Sequence, residues 1–463
     1  MSPRTPGRRI AERPHPEPGT APSVAAPRTV VVAAASVVVL GSALAWAGTA
    51  SAPSPHRSQG ISRTTPVARD FSCVGGLPGA SATAGVAGES TSAGLTVDDA
   101  ARGRATRTLS GRPTHVHADA AVAARAFAVR TAKAKHWFAA GSCPSPRATW
   151  WFVGVGGSGS HHSELTMADP RKGDAIVDIE VFGPHGPVEA PGLQDVRISS
   201  GGVTRFDLSK VAPAVGDLAV RVVASRGLVS ASVADTWSAG YVGRPVRDWV
   251  TEQPVAGRRV TIAGLPARDV RAGALVANPS MSEAVVRVSL LGADGAFAPT
   301  SHAAVRIPPQ SVHRIRLAGM LKAQPRALRL ESQVPVSATV RVRRDTDAAY
   351  LPVVVPLSGS SVVGVPAHEG SASLVLIGGK LKTSAGVTVF SASGRALVER
   401  TLPIGASATT TFALPKHAAS VQVRGATVAG ALLLGEDTKH SLAVLPLTPT
   451  GSEARVPAIR PGW

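Results

Sequence analysis

Apolar and polar residues alternate at period two through much of the chain, in short runs bounded by Gly, Pro, Asp or Ser. That is the pattern of strands buried on one face, so it predicts an all-β protein. The runs also repeat. IVDIEVFGPHG, VVRVSLLGADG and GVTVFSASG end in a turn at Gly186, Gly295 and Gly394. These glycines are 109 (295 − 186) and 99 (394 − 295) residues apart. Segments LAVRVVASRGLVSASVADTW from Leu218, ALRLESQVPVSATVRVRRDTDAAYLPVVVPL from Ala327 and SVQVRGATVAGALLLGEDTKHSLAVLPL from Ser420 each read as a strand, a tight turn and a second strand. A fainter copy starts at His115.

Six to eight strands in about 100 residues is the content of a β-sandwich. The chain is thus expected to carry tandem immunoglobulin-like β-sandwich units over 149–254, 255–358 and 359–449, preceded by a degenerate β unit over 70–148 and followed by a C-terminal tail over 450–463. One large closed β-assembly is the alternative.

The N-terminus follows a different pattern. Residues 1–28 hold five arginines among Pro and Gly and read as a disordered basic tail. Residues 29–48, TVVVAAASVVVLGSALAWAG, carry no charge over a length that spans a bilayer as a helix. They predict a transmembrane or signal-anchor segment, with Ala50, Ser51 and Ala52 as a candidate cleavage pattern. A stalk rich in Pro and Ser over 49–69 follows, so the C-terminal region is placed outside the cytoplasm, or secreted if the segment is cleaved. Both cysteines, Cys73 and Cys143, lie beyond that segment and read as one disulfide, with two independent buried thiols as the alternative. Closing so long a loop would contribute roughly 4 kcal/mol.

Charge changes the picture modestly. Lys and Arg total 49 against 30 Asp and Glu, a formal net charge of +19 spread along all 463 residues. Such a surface attracts anionic polymers or lipid headgroups, so anionic wall polymer and envelope proteins are the expected partners. Nucleic acid is not expected, because few aromatics interleave with the basic residues.

Candidate chemistry is sparse, and no cofactor is expected. GVGGSGSHHS over 154–163 has the glycines of an anion loop, but no Lys-Ser or Lys-Thr pair follows, and a strand is expected next. His161 and His162 are adjacent, so on a strand they face opposite ways, and a zinc site would need His185 as well. The GGSGS run lacks the last glycine of a nucleophile elbow. No enzymatic activity is expected. Trp150 and Trp151, with His161 and His162, form a candidate ligand surface. Trp137, Trp237 and Trp249 are further rings that could stack on sugars. The alternation of Trp150 and Trp151 would equally set one ring in a core and the other at an interdomain contact.

The Cys143-Pro144 pair, WWFVG over 150–154, Asp169-Pro170 and RVVASRG over 221–227 resemble an uncharacterised actinobacterial family of single-pass or secreted β-rich envelope proteins. That resemblance implies an envelope location, alongside glycosyltransferases of surface-polysaccharide synthesis, and supplies no catalytic residues. The expected function is a non-catalytic extracytoplasmic scaffold or adaptor, with a carbohydrate-binding protein as the alternative.

Overall fold

The computed structural model describes residues 138–449 with short gaps, together with the backbone of strands from 62 to 131 and at 454–456. The basic tail, the apolar stretch 29–48 and most of the stalk lie outside the described residues. Among the described residues no helix is long and apolar enough to cross a membrane.

The alternating runs become antiparallel strands nearly throughout, and the described helices are two single turns, Leu208–Val211 and the 3-10 turn Met320–Ala323. All four repeats share one strand order. Counting the main strands of a repeat, with Gly157–Ser158 left out, the short strands Gly186–Val188 and Val196–Ile198, or Gly295–Phe297 and Ala304–Ile307, sharing the fourth place, and Ala327–Arg343 taking both the sixth and the seventh, the first, sixth, third and fourth lie side by side in one sheet. The fifth, second, seventh and eighth form the other. In the second repeat, Thr149–Val155 pairs with Leu218–Arg226, while His161–Ala168 pairs with Ser230–Trp237.

This order departs from the immunoglobulin-like one. In an immunoglobulin constant domain the first strand belongs to the sheet of the second, and the seventh to the sheet of the sixth. Here those two strands have changed sheets. What is shared is the burial of one face of each sheet. Phe152, Leu165, Ile179, Val220 and Val233, from both sheets of the second repeat, meet in one core.

The third repeat lacks the expected strand-turn-strand. Ala327–Arg343 is one 17-residue strand. Its first half pairs with Gly257–Ala263 and Ala284–Gly292, and its second half with Arg271–Asn278 and Ala348–Leu351, so it passes from one sheet to the other. In the second and fourth repeats a residue of positive φ breaks this passage, Gly227 at 77° and Thr427 at 65°. The third repeat has Pro335 there, and a proline ring holds φ near −65°, so the chain runs on extended.

The repeats are not beads on a string. Their eighth strands, Phe138–Cys143, Val246–Val250, Ala348–Leu351 and Ala443–Pro446, meet in cyclic order, each lying against the next and the last against the first. Apolar clusters cross the boundaries to match. Val375, Ala431 and Val444 join the core of the third repeat, and Phe138 and Ala140 join that of the fourth. Trp151, Phe182, Leu275, Ala277 and Val312 form a separate cluster between the second and third. Residues 63–455 are accordingly one body, in which two-sheet repeats close around a shared set of strands.

Cys143 is buried at the end of its strand. The Ser72 amide donates to the Pro144 carbonyl at 3.1 Å, which brings the Arg69–Cys73 strand alongside. The side chain of Cys73 lies outside the described residues.

Candidate functional site

The strand Thr149–Val155 places its two tryptophans on opposite faces, and neither ring is offered to a ligand. Trp150 is fully buried in the core of its repeat, where its Nε1 donates to the Val229 carbonyl at 2.9 Å and Arg147 stacks 3.9 Å over the ring. Trp151 is 3 % exposed, stacked on Phe182 and enclosed by the third repeat. Trp249 is buried and Trp237 half-buried, while Trp137 lies outside the described residues. Of the candidate ligand surface at Trp150, Trp151, His161 and His162, alternation sends three of the four side chains into packed interiors.

The glycine run that follows is a tight hairpin, Gly157–Ser158 against His161–Ala168. The amides of Gly156 and Gly157 are already taken. Gly156 N–H donates to Ser163 Oγ at 2.9 Å and Gly157 N–H to the Val215 carbonyl at 2.7 Å. A Cβ on Gly157 would collide with the Ala212 carbonyl, so this glycine serves close packing rather than an anion cradle.

His161, Ser163 and Asp235, each 1 % exposed, share one buried cluster. It has the residue types of a hydrolytic triad but not its wiring, since a serine nucleophile must be bonded to the imidazole. Here Ser163 Oγ donates to Asp235 Oδ1. The His161 ring is held at both ends, Nδ1 2.5 Å from the Gly216 carbonyl and Nε2 3.1 Å from Asp235 Oδ1. Both partners are oxygen atoms able to accept. Trp237 stacks on the imidazole with centroids 3.8 Å apart, and its own ring lies 4.4 Å from the Arg341 guanidinium carbon and 4.1 Å from that of Arg343.

The third repeat completes this cluster. Tyr350 Oη donates to Asp235 Oδ2 at 2.5 Å, and Arg341 donates to the Gly154 carbonyl at 3.2 Å and to Asp217 Oδ1 at 3.0 Å. Arg314 reaches Asp217 Oδ2 at 2.5 Å. Burial works against the charge on Asp235, but His161 and the donors around it prevail and hold its carboxylate below the ordinary range. Burial, with the Asp235 charge beside it, pushes the Tyr350 phenol well up.

A second polar joint sits where the eighth strands meet. Asp347 Oδ1 accepts from the Phe138 amide at 3.4 Å and Oδ2 from the Leu442 amide at 2.7 Å, so one carboxyl of the third repeat ties down the first and the fourth. Burial pushes its pKa up to about 8. Asp248 is raised as well, by burial first and then by the like charge of Asp347. On the fourth-repeat side, Arg344 donates to the Gly435, Glu436 and Thr438 carbonyls, and Arg326 pairs with Glu436.

His162 is half-buried on the face opposite His161, and His185 is exposed in the turn before Gly186. Among the described residues no group of three or more His, Cys, Asp or Glu could hold a metal ion. Asp217, Asp235, Arg341, Asp347 and Tyr350 escaped sequence reasoning. For Asp235 a signal existed: in SASVADTW it falls in the inward register of Ala231 and Val233.

No curated protein matches the sequence. The profile of a family of unknown function, DUF5719, matches residues 96–415. That match begins within the first repeat, ends within the fourth and covers more than half of the chain, so the chain belongs to the DUF5719 family.

Proposed function

We propose that this chain is a non-catalytic scaffold of the actinobacterial cell envelope, held at the membrane by residues 29–48, with its β body outside the cytoplasm and contacting envelope proteins or anionic wall polymer. The observation that carries the reading is the joint at Asp347, where one buried carboxyl ties three repeats together. Polar side chains of the sequence's most site-like stretch are spent on such joints, which suits a block that positions partners. The charge of +19 and the apolar segment support the placement. A sugar-binding tryptophan platform has less support, since Trp150, Trp151 and Trp249 are buried.

The test is crosslinking of the intact protein in its native membrane, with bound proteins and bound glycan analysed in one sample. Recovery of polysaccharide-assembly proteins without glycan is the expected result. A defined glycan recovered without protein partners, or turnover of glycan by the purified protein, contradicts it. A Cys73–Cys143 disulfide belongs to the same reading. Peptide mapping without reductant should recover the linked pair, and two freely alkylated thiols would refute both the bond and the oxidising location.

A further inference from the structure

A cleft of about 390 Å³ opens between the third and fourth repeats, within the range of roughly 300–1,000 Å³ usual for small-molecule sites. Much of its lining is apolar, with Val260, Val336, Val353, Ile377 and Ala429 drawn from both repeats. The charged lining is unbalanced: Arg259, Arg329 and Lys380 face a single carboxylate, Glu331.

That carboxylate is already engaged. Arg259 Nε donates to Glu331 Oε1 at 2.7 Å. Arg329 donates from Nη1 to Ser407 Oγ at 3.0 Å, but its buried Nε has no partner among the described residues. Burial, then the neighbouring Arg259 charge, works against the Arg329 cation, and Glu331 offsets this only in part. Ser337, 2 % exposed and in the same lining, also has a hydroxyl without a partner among the described residues. Buried polar atoms without partners are few in folded proteins. Two of them in one cleft, next to two guanidinium groups sharing one acid, mark a place made for an added oxyanion.

The geometry points to a binding site for a small amphipathic organic anion. One carboxylate or phosphate group is taken by Arg329 and Arg259, whose planar donors suit oxyanions, and an apolar stem lies along Val336, Val353 and Ile377. The site stands or falls independently of the scaffold reading, because its charged groups all belong to the third and fourth repeats.

Isothermal titration of the full chain in zwitterionic nanodiscs, with empty discs as the blank, tests it using hexanoate, hexyl phosphate, hexanol and inorganic phosphate. At least one of the two amphipathic anions should saturate a single site, at least tenfold tighter than either hexanol or inorganic phosphate. Arg329→Gln should weaken that binding at least tenfold. Lys380→Glu, at an exposed position where folding is not at stake, should weaken it severalfold, and decides the matter if Arg329→Gln fails to fold. The better anion of the two identifies the head group. No saturable binding by either anion, hexanol or inorganic phosphate binding as tightly, or affinity unchanged by Lys380→Glu would overturn the proposal.

Discussion

A carboxyl group sealed inside a protein is tolerated when it is neutral or well supplied with donors, and Asp347 has both a raised pKa and two amide donors. The sign of the pH effect follows. Its folded pKa of about 8 lies above the ordinary 3.8, so the folded chain keeps a proton that the unfolded chain releases. The resulting stability is complete below about pH 4 and is lost as pH rises through 8. Asp248, also raised, acts in the same direction. The lowered carboxyls of Asp217 and Asp235 act the other way, but only as pH falls below the ordinary carboxylate range. Each pH unit separating the folded from the unfolded pKa is worth about 1.4 kcal/mol. Urea unfolding should therefore show a loss of a few kcal/mol between pH 5 and pH 9, and Asp347→Asn should flatten the slope. A flat or rising wild-type profile would contradict this assignment. Tyr350→Phe leaves Asp235 Oδ2 short of a donor and should cost about 1–3 kcal/mol, measurable by the same unfolding at pH 7. Little of this was legible beforehand, because the donors to Asp347 come from 209 and 95 residues away in sequence.

Strands and turns carry the next level, and here the sequence spoke more clearly. Period-two alternation and the glycine-marked repeat gave the strands, because both are local signals. Strand order is not local: the first strand of a repeat could pair with the second or the sixth without changing any face, and only packing of the whole repeat decides. The ends of the first strands show how neighbours fit. Gly154 has φ +91° and a Cβ there would sit 3.1 Å from Leu275 Cδ1 of the third repeat. At the end of the equivalent strand, Gly264 has φ +87° and a Cβ would sit 2.6 Å from Val444 Cγ1 of the fourth. Two repeats thus use the same device to admit the next one. Gly264→Ala should cost about 1–3 kcal/mol from backbone strain alone, with more from the clash. Adding Val444→Ala should return the clash portion, a coupling that a double-mutant cycle reads directly; strictly additive costs would contradict the contact. At the broken passage of the fourth repeat, Thr427 holds φ 65°, a conformation that a β-branched residue resists. Thr427→Gly should therefore raise stability by about 1 kcal/mol in a thermal melt.

At the scale of the molecule, four repeats behave as one block. The apolar clusters run across repeat boundaries, the eighth strands lie against one another, and Asp235 and Asp347 each bond across a boundary. A string of independent sandwiches would open repeat by repeat, whereas a welded block has its most protected amides where the repeats meet. Native-state hydrogen exchange of the full chain tests this most directly. Amides of Phe138–Cys143, Val246–Val250, Ala348–Leu351 and Ala443–Pro446 should exchange together, at the free energy of global unfolding. Separate exchange of these four strands, each at its own lower free energy, would contradict it.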